Sequence, residues 1–239
     1  MERQRHARPR DEATERIECY VLQRRLTPHS KLPSERDMCE MWGFNRTTLR
    51  SAIKRLIIEG RLYNKQGSGT YVAPPRLERN LQDVQSTTDA VLAAGHRLKT
   101  QVLSARLLAA ERHEAQKLGL PEGSMAFYLQ RLRIMDGEPV MVEYSYLDYA
   151  RCPHVEEHDF TDESLYDVLA HYNIGIDHGR EEVGITYTTE EEAALLGLTP
   201  GMPVFYLSGV SCDEAGQPIE YFKSVVRSDK ACFSSVLTR

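Results

Sequence analysis

Cationic and hydroxyl side chains gather on one face of a helical segment near residue 50. The opposite face is an apolar stripe at helical spacing, formed by Leu49, Ala52, Ile53, Leu56 and Ile57. The polar face carries Thr47, Arg50, Ser51, Lys54 and Arg55, and Arg46 projects from the first turn. A guanidinium can donate two hydrogen bonds to guanine O6 and N7, and a threonine can contact a phosphate or a thymine methyl. A helix inserted into the major groove of DNA requires such a face.

A second set of ionisable side chains lies far along the chain, in strand-like segments. Arg131 and Arg133 are two residues apart, so on a strand they point to the same side. Glu143 and Glu220 fall on the returning strands of two predicted hairpins. Two neighbouring cations need an anion, a carboxylate partner or solvent. The set therefore indicates either a site for an anionic ligand or an internal salt-bridge network of both arginines with Glu143. A three-residue hairpin turn would place Arg131 opposite Glu143 and a two-residue turn would not, which the sequence leaves open.

Hydroxyl residues stand where two predicted helices begin. Ser86-Thr87-Thr88 directly precedes a helix predicted for 89–94, and Ser164 opens a helix predicted for 164–171. Free backbone N–H groups and the helix dipole favour an anion at such positions. These segments also favour a polar, anionic ligand.

Patterns typical of enzymes and metal centres are not found in the sequence. The eight histidines have neither zinc-site spacing nor a triad motif, and His154 and His158 fall in an acidic loop that we expect to be solvated. The acidic runs Glu181-Glu182 and 190–192 are predicted to be exposed. The five cysteines are scattered and odd in number, as in reduced cytoplasmic proteins. We expect no catalytic residue, no cofactor and no metal.

Charge is distributed unevenly along the 239 residues. The composition, 41% hydrophobic and 27% charged, is typical of a soluble globular protein. No apolar run follows the basic first ten residues and none approaches the length of a membrane span, so we expect neither a secretory signal nor a membrane partner. Residues 1–73 hold 15 Lys and Arg against 9 Asp and Glu, whereas residues 74–239 hold 15 against 26. Only the first part is expected to meet a polyanion.

The first part of the chain has the signals of a winged helix-turn-helix. A first helix is predicted for 11–25, Ser34 caps a second that ends at Gly43, and Asn45 caps a third that ends at Gly60. Short strands at 61–63 and 70–72 predict a hairpin, or wing. The Pro74-Pro75 break then predicts domains at 1–73 and 85–239, joined by a linker at 74–84.

The second part contains an internal repeat. LGLPEGSMAFYL (118–129) aligns without gaps with LGLTPGMPVFYL (196–207) at an offset of 78. Each copy follows an acidic helix and precedes a hairpin turn, so each unit is strand, helix, tight turn and β-hairpin. Two copies are too few for a solenoid and indicate one α+β domain with an antiparallel sheet and pseudo-symmetry.

The segment LPSERDMCEMWGFNRTTLRSAIKRLIIEGRLYNKQGSGTYV (32–72) resembles the GntR family of bacterial transcription regulators. The resemblance spans both helices, their turn and the hairpin, so it is more specific than a short motif. It implies that the DNA-contacting residues are Arg36, Arg46, Thr47, Thr48 and Arg50, with Gly67 at the wing tip; Lys54 lies on the same helical face. Asn64 and Gln66 flank Lys65 where many family members have a more basic wing, so weaker wing contacts are expected.

The rest of the chain, about 84–233, resembles the UTRA domain of the HutC-type subfamily. The segments that carry this resemblance are VQSTTDAVLAAGHRLKTQVL, LQRLRIMDGEPVMVEYSYL, ESLYDVL and GQPIEYFKSVVRSD. It implies an effector sensor with a fold like that of chorismate lyase. It also implies an effector pocket lined by Ser86, Thr87, Arg131, Arg133, Glu143, Ser164, Tyr166, Glu220 and Tyr221.

These observations predict a sequence-specific transcriptional regulator that binds a palindromic double-stranded operator as a homodimer. A repressor is expected, and activation stays open as the alternative. Its effector is predicted to be a small anionic metabolite, such as a phosphorylated sugar or an organic acid; phosphonates and amino-sugar phosphates remain open. An enzyme is the alternative, because the second domain resembles a lyase fold, but fold does not imply function. A protein-interaction module without DNA contacts would leave the cationic helix face unused.

Overall fold

The computed structural model describes residues 9–83 and 85–235. The helices are α1 Pro9–Gln23, α2 Glu35–Trp42, α3 Arg46–Ile58, α4 Thr87–Ala93, α5 Arg112–Leu118, α6 Leu165–His171 and α7 Glu190–Leu196, with a 3₁₀ turn at Val155–Glu157. The strands are β1 Leu62–Lys65, β2 Gly69–Val72, β3 Leu77–Asn80, β4 Leu98–Ala109, β5 Met125–Met135, β6 Glu138–Asp148, β7 His178–Tyr187, β8 Pro203–Cys212, β9 Pro218–Arg227 and β10 Ala231–Ser234.

The chain forms two compact units. The N-terminal unit extends to Arg76 and includes Ser228–Lys230, and the C-terminal unit comprises Leu77–Arg227 and the residues from Ala231 onward. Within the described ranges no helix is long and apolar enough to cross a membrane. The first eight residues, where no secretory signal is expected, lie outside the described residues.

The N-terminal unit is three helices and a hairpin around one apolar core. The stripe predicted on α3 is buried, because Leu49, Ala52 and Leu56 pack with Ile17 of α1 and Met38 of α2. Strands β1 and β2 pair antiparallel, from Leu62↔Val72 to Lys65↔Gly69. The winged helix-turn-helix predicted from the sequence is confirmed. The first strand of its hairpin begins one residue later than predicted, at Leu62, and extends two residues further toward the turn; the second begins one residue earlier, at Gly69.

The C-terminal unit contains a six-stranded antiparallel sheet of order β4-β5-β6-β9-β8-β7. Its two halves are the two sequence repeats: β4, α5 and the hairpin β5–β6 in one, and β7, α7 and the hairpin β8–β9 in the other. The halves meet at the central pair β6–β9. The predicted α+β domain with pseudo-symmetry is confirmed.

Helices cover different faces of this sheet. Helix α6 packs through Leu165 and Leu169 against Phe127 and Leu147 on one face. On the other face, Leu196 of α7 packs with side chains such as Val142. Because strand side chains alternate between faces, this layering determines which residues of β5, β6 and β9 can share a site.

The segment 74–84, predicted as a linker, is not all linker. Its residues 77–80 form β3, which pairs in parallel with β10 at the far end of the chain, from Ala231↔Leu77 to Ser234↔Asn80. Leu77 is buried with Ala231 and Leu207, which gives this strand an apolar anchor on the large sheet. A Pro-Pro break followed by a charged run concealed it, since its pairing partner lies about 150 residues later.

Candidate functional site

Local capping fixes the helix-turn-helix of the N-terminal unit. Ser34 Oγ accepts a hydrogen bond from the Asp37 backbone N–H at 3.2 Å, and the Asp37 carboxylate accepts one from the Ser34 N–H at 3.3 Å. Gly43, with φ +72°, ends α2 in the left-handed conformation. Asn45 Oδ1 then accepts the Thr48 N–H at 2.8 Å and starts α3. The turn between the two helices is therefore short and well defined.

The cationic face of α3 is exposed and loosely paired. Glu35 of α2 lies 3.0 Å from Arg50 Nε and 3.9 Å from Arg46 Nε, while Arg36 pairs with Glu40 at 2.9 Å. The Arg46 and Arg50 side chains are 75% and 67% exposed. Exposed pairs of this kind are worth about 0–1 kcal/mol, so a phosphate or base edge can replace the carboxylate at little cost. Thr47 and Lys54 are exposed on the same helix and Thr48 is half-buried.

Arg55 differs from its neighbours on α3. It lies 2.7 Å from Asp11 of α1 and 2.7 Å from Glu59, on the flank of the helix. The hydrogen bond and charge of Glu59, together with Asp11, raise the pKa of Arg55. The sequence places Arg55 on the polar face, but in the structure it holds α3 to α1.

The wing ends in a turn that contains Gly67. Its φ of +71° lies in the left-handed region that favours glycine. Gly67 is exposed, and a Cβ built on it would meet nothing within 4 Å in the described part of the chain. Stacking of Tyr63 on Tyr71 at 5.4 Å holds the hairpin behind the tip. The backbone at the tip is thus open to a close approach.

The C-terminal unit has a cavity of about 630 Å³ on the α6 face of its sheet. Eight of the nine predicted effector residues line it: Ser86, Thr87, Arg131, Arg133, Glu143, Ser164, Tyr166 and Glu220. It also includes Ser145, Ser211 and Ser224, which the sequence did not single out. Long-range pairing of β5, β6, β8 and β9 brings these polar side chains to one place.

The hairpin that carries Arg131 and Glu143 has a two-residue turn and still places Arg131 opposite Glu143. The hairpin turn is the two-residue Asp136-Gly137, with positive φ at both positions. Arg131 nevertheless lies opposite Glu143, because the pairing shifts between Arg133 and Ile134 and leaves Val140 of β6 as a bulge. The expectation that a two-residue turn separates Arg131 from Glu143 is therefore wrong.

Both arginines share one carboxylate. Glu143 Oε2 is 3.3 Å from Arg131 Nη2 and 3.5 Å from Arg133 Nε, and its other oxygen accepts a hydrogen bond from Thr87. Burial opposes its ionisation, but Arg133, Arg131 and Thr87 hold the pKa of Glu143 below its usual value. Burial lowers the pKa of Arg133. Glu143 thus stays ionised and compensates only one of two cations.

The pocket retains unused donors. Among the described residues, the buried Nε atoms of Arg131 and Arg133 and the Ser164 Oγ have no hydrogen-bond partner. Arg133 also donates to Thr88 at 2.7 Å and to Thr100 at 3.0 Å, which holds its guanidinium in place. Buried donors without acceptors are costly, so this side of the pocket is suited to an anionic or acceptor-rich ligand.

Glu220 lies in a different environment from Glu143. Ser145 donates to its Oε1 at 2.6 Å, and Tyr166 and Ser211 donate to its Oε2 at 3.1 and 3.3 Å. Burial raises the pKa of Glu220, although the hydrogen bond from Ser145 and the charge of Arg131 act in the other direction. It is a buried acceptor that can gain a proton more easily than an ordinary glutamate.

The predicted hydroxyls occupy slightly different positions from those expected. Helix α4 begins at Thr87 instead of Asp89, with Ser86 as its N-cap accepting the Asp89 N–H at 3.1 Å. Thr87 and Thr88 therefore lie in the first turn and bind Glu143 and Arg133. Ser164 precedes α6 without a side-chain capping bond.

Tyr221 does not belong to this pocket. It follows Glu220 on β9, so its side chain points to the other face of the sheet, where its hydroxyl is 3.0 Å from His113 Nε2 of α5. It also stacks on Tyr146 at 5.8 Å. Assigning both residues of the Glu220-Tyr221 pair to one site ignores the alternation of a strand.

The sequence analysis misses four charged residues that line the pocket: Arg79, Asp83, Arg180 and Glu181. Arg79 of β3 and Glu181 of β7 line the cavity and lie 3.2 Å apart. Glu181 was expected to be exposed, but its side chain is 17% exposed and burial raises its pKa. Recognising Leu77 and Arg79 as same-face residues of one strand would have revealed Arg79. Among the described residues no three His, Cys, Asp or Glu side chains are grouped to hold a metal.

Comparisons with known proteins agree with both units. Residues 9–72 match the model of the bacterial regulatory proteins of the gntR family, and residues 93–231 match the UTRA domain. The chain belongs to the GntR family. It is a HutC-type member, a DNA-binding transcriptional regulator with an effector-sensing UTRA domain.

Relatives and solved structures support the same assignment over most of the chain. The HTH-type transcriptional repressor NagR of Bacillus subtilis is 30% identical over 94% of this chain and 93% of its own. The histidine utilization repressor of Pseudomonas putida is 31% identical, over 74% and 71%. The crystal structure of PhnF from Mycobacterium smegmatis superposes with a TM-score of 0.69 at 29% identity, over 93% and 98%. Because the family and these relatives are regulators, the enzyme alternative is excluded.

Proposed function

We propose that this GntR-family regulator represses transcription as a homodimer on a palindromic operator, and that a small anionic metabolite controls its DNA binding. The observation that carries the proposal is a metabolite-sized cavity with two buried arginines that share one carboxylate. Its volume of about 630 Å³ is within the usual range for small-molecule sites. An anion would supply the charge and the acceptors that this pair lacks.

The DNA-contacting set in this proposal is Arg36, Arg46, Thr47, Thr48, Arg50, Lys54 and Gly67. Exposure of the cationic side chains and the weak pairing of Arg46 and Arg50 with Glu35 support it. Phosphate contacts release counterions, so operator affinity should fall steeply with salt. Such contacts would be made in the cytoplasm, where the operator is accessible.

The proposed homodimer is supported by an open sheet edge in the C-terminal unit. Strand β7 pairs only with β8 in the six-stranded sheet, so its other edge is unpaired there. Val183, Ile185 and Tyr187 are apolar residues on one side of this strand, and Ile185 is 74% exposed. Exposed apolar edges favour association. A two-fold dimer would present two recognition helices to two half-sites.

The effector in this proposal carries a phosphate or carboxylate that binds Arg131 and Arg133. Ser86, Thr87, Ser164 and Tyr166 are proposed to contact its remaining polar groups, with Glu143 and Glu220 as acceptors. Phosphorylated sugars and organic acids both have this chemistry. The dimer in this proposal has two states, in which the two DNA-binding heads differ in spacing or orientation. The effector can change operator affinity only as far as its own affinities for these two states differ.

Fluorescence anisotropy of labelled DNA from upstream of the gene tests this function. Tight binding that survives scrambled competitor and weakens with salt is expected, and light scattering should give the mass of a dimer. A sugar phosphate and a dicarboxylic acid then serve as effector probes. Arg131→Ala should retain DNA binding and lose the response to the active probe. Failure to select any preferred sequence from random DNA would contradict the proposal.

A further inference from the structure

The ion pair between Arg79 and Glu181 lines the effector cavity, and among the described residues it forms no ion pair with Arg131, Arg133 or Glu143. Both side chains line the cavity, and they are 21% and 17% exposed. Their nearest atoms are 3.2 Å apart but are not aligned for a hydrogen bond. Among the described residues, the buried Glu181 Oε1 has no hydrogen-bond partner. The pair is held by charge alone and is only partly satisfied.

Arg79 has a special position in the chain. It lies on β3, which begins directly after Arg76, where the first stretch of the N-terminal unit ends. Leu77, on the same side of this strand, is anchored in the apolar core, whereas Arg79 faces the cavity. Packing of Leu77 thus fixes one end of β3. Arg79, the next residue that faces inward, is held by an ion pair that a ligand can exchange.

Arg79 also acts electrostatically on the centre of the pocket. Its charge contributes to the lowered pKa of Glu143. Arg79 lines the same cavity as the buried network, so an anion bound in that cavity can share its guanidinium. Glu181 competes with such an anion for the same guanidinium.

We propose that Arg79, the ion-pair partner of Glu181, is an effector-binding residue: an anionic group of the ligand displaces Glu181 from the guanidinium, and the exchange moves β3. This inference rests on the proposed function and adds a ligand contact and a route from the pocket to the segment that leads to the DNA-binding unit. Charge-assisted hydrogen bonds to a phosphate or carboxylate are stronger than a misaligned ion pair. Occupancy therefore favours the exchanged state.

A double-mutant cycle with inorganic phosphate as the probe tests the exchange. Phosphate affinity of the full-length protein is measured by calorimetry for the wild type, Glu181→Gln, Arg79→Gln and the double variant. We expect Glu181→Gln to bind phosphate about tenfold more tightly and Arg79→Gln about tenfold more weakly. The gain from Glu181→Gln should disappear in the Arg79→Gln background, because the freed partner is then absent.

Controls separate this exchange from general electrostatics. Glu78→Gln removes one negative charge from the exposed side of the same strand and should leave phosphate affinity unchanged. A gain from Glu181→Gln that persists without Arg79 would overturn the inference and leave the proposed function intact. Phosphate binding that is insensitive to Arg131→Ala, or no phosphate binding by any variant, would overturn this inference and the anionic-effector part of the proposed function together.

Hydrogen exchange tests the movement of β3. Phosphate should change amide protection in peptides covering residues 77–80 and their β10 partners 231–234 in the wild type. Arg79→Gln, at a phosphate concentration that restores occupancy, should show no such change. Equal changes in both proteins would mean that β3 responds without Arg79, and would overturn the inference. A merely structural role for the pair would alter protection in the absence of phosphate but not its response.

Discussion

The two units of this regulator use arginine in opposite ways. Arg50 of the N-terminal unit is 67% exposed and pairs with one carboxylate at the surface. Arg133 of the C-terminal unit is 2% exposed and is surrounded by Glu143, Thr88 and Thr100. Water solvates the first, whereas the protein must replace water around the second. We infer that the exposed arginine can be exchanged for DNA without structural cost, while the buried one is part of the fold.

The largest effect is expected from Arg133→Met. Arg133→Met removes a buried ion-pair contact to Glu143 and the hydrogen bonds to Thr88 and Thr100, and breaking a buried pair by removing one partner costs about 3–5 kcal/mol. Urea unfolding of the full chain should show this loss in the transition of the C-terminal unit. Arg180→Met is the matched control, because the Arg180 side chain is 84% exposed and its partner Glu182 is 67% exposed; it should change stability by less than about 0.5 kcal/mol. Equal losses would remove the distinction between buried and exposed arginines.

Arg50→Ala should have the opposite pattern of effects, with a loss of operator affinity and little loss of stability. Loss of a base-contacting arginine costs about 1–3 kcal/mol of binding, which is about 5–150-fold in operator affinity. Stability should hardly change, because the ion pair with Glu35 is exposed. Arg16→Ala removes the same charge from an exposed site on α1 and controls for net charge. Unchanged operator affinity in Arg50→Ala would contradict the assignment of α3 as the recognition helix.

The two buried glutamates should titrate in opposite directions. The pKa of Glu143 is lowered in the folded state, so its ionisation stabilises the fold above the usual glutamate pKa, and this contribution is lost as pH falls through the lowered value. The pKa of Glu220 is raised, so its ionisation destabilises the fold as pH rises through the raised value.

Stability of Glu143→Gln and Glu220→Gln between about pH 4 and pH 7, around the ordinary glutamate pKa, tests this contrast. The destabilisation by Glu143→Gln should grow with pH, to about 1–3 kcal/mol at neutral pH. The destabilisation by Glu220→Gln should shrink with rising pH, because glutamine avoids the cost of ionisation. Parallel pH profiles for the two variants would show that both carboxylates have the same environment.

Sequence analysis works best where the determining interactions are local. The capping box of Ser34 and Asp37, the left-handed Gly43 and the Asn45 cap are all decided within a few residues. They fix the helix-turn-helix and the face of α3 before any tertiary contact is known. The repeat of 78 residues likewise predicts the two hairpins of the sheet, since each copy carries its own turn signal.

The pocket is less predictable because its geometry depends on distant strands. Arg131 faces Glu143 only through the bulge at Val140, a buried residue whose position is set by packing against other strands. Arg79 belongs to the pocket only because β3 pairs with β10 at the other end of the chain. Tyr221 was misplaced for a different reason, since strand alternation alone excludes it from the face of Glu220.

The smallest effect is expected at the wing, because the turn at its tip depends on backbone geometry and not on charge. Gly67→Ala places a Cβ on a residue with φ +71°, which costs about 1 kcal/mol even though the space around it is open in the described part of the chain. Thermal unfolding of the N-terminal unit should fall by about 4–8 °C. Gly175→Ala, at a position where neither a positive φ nor a close atom is found among the described residues, should be nearly neutral.

Gly67→Asn separates the two reasons for a glycine at this tip. Asparagine tolerates the left-handed conformation better than alanine, so it should recover most of the lost stability. If the wing backbone approaches the DNA closely, operator affinity should stay reduced in Gly67→Asn despite that recovery, since any side chain keeps the backbone away. Recovery of both stability and affinity would show that Gly67 serves only the turn. The wing would then contribute to DNA binding through Lys65 instead of through its backbone.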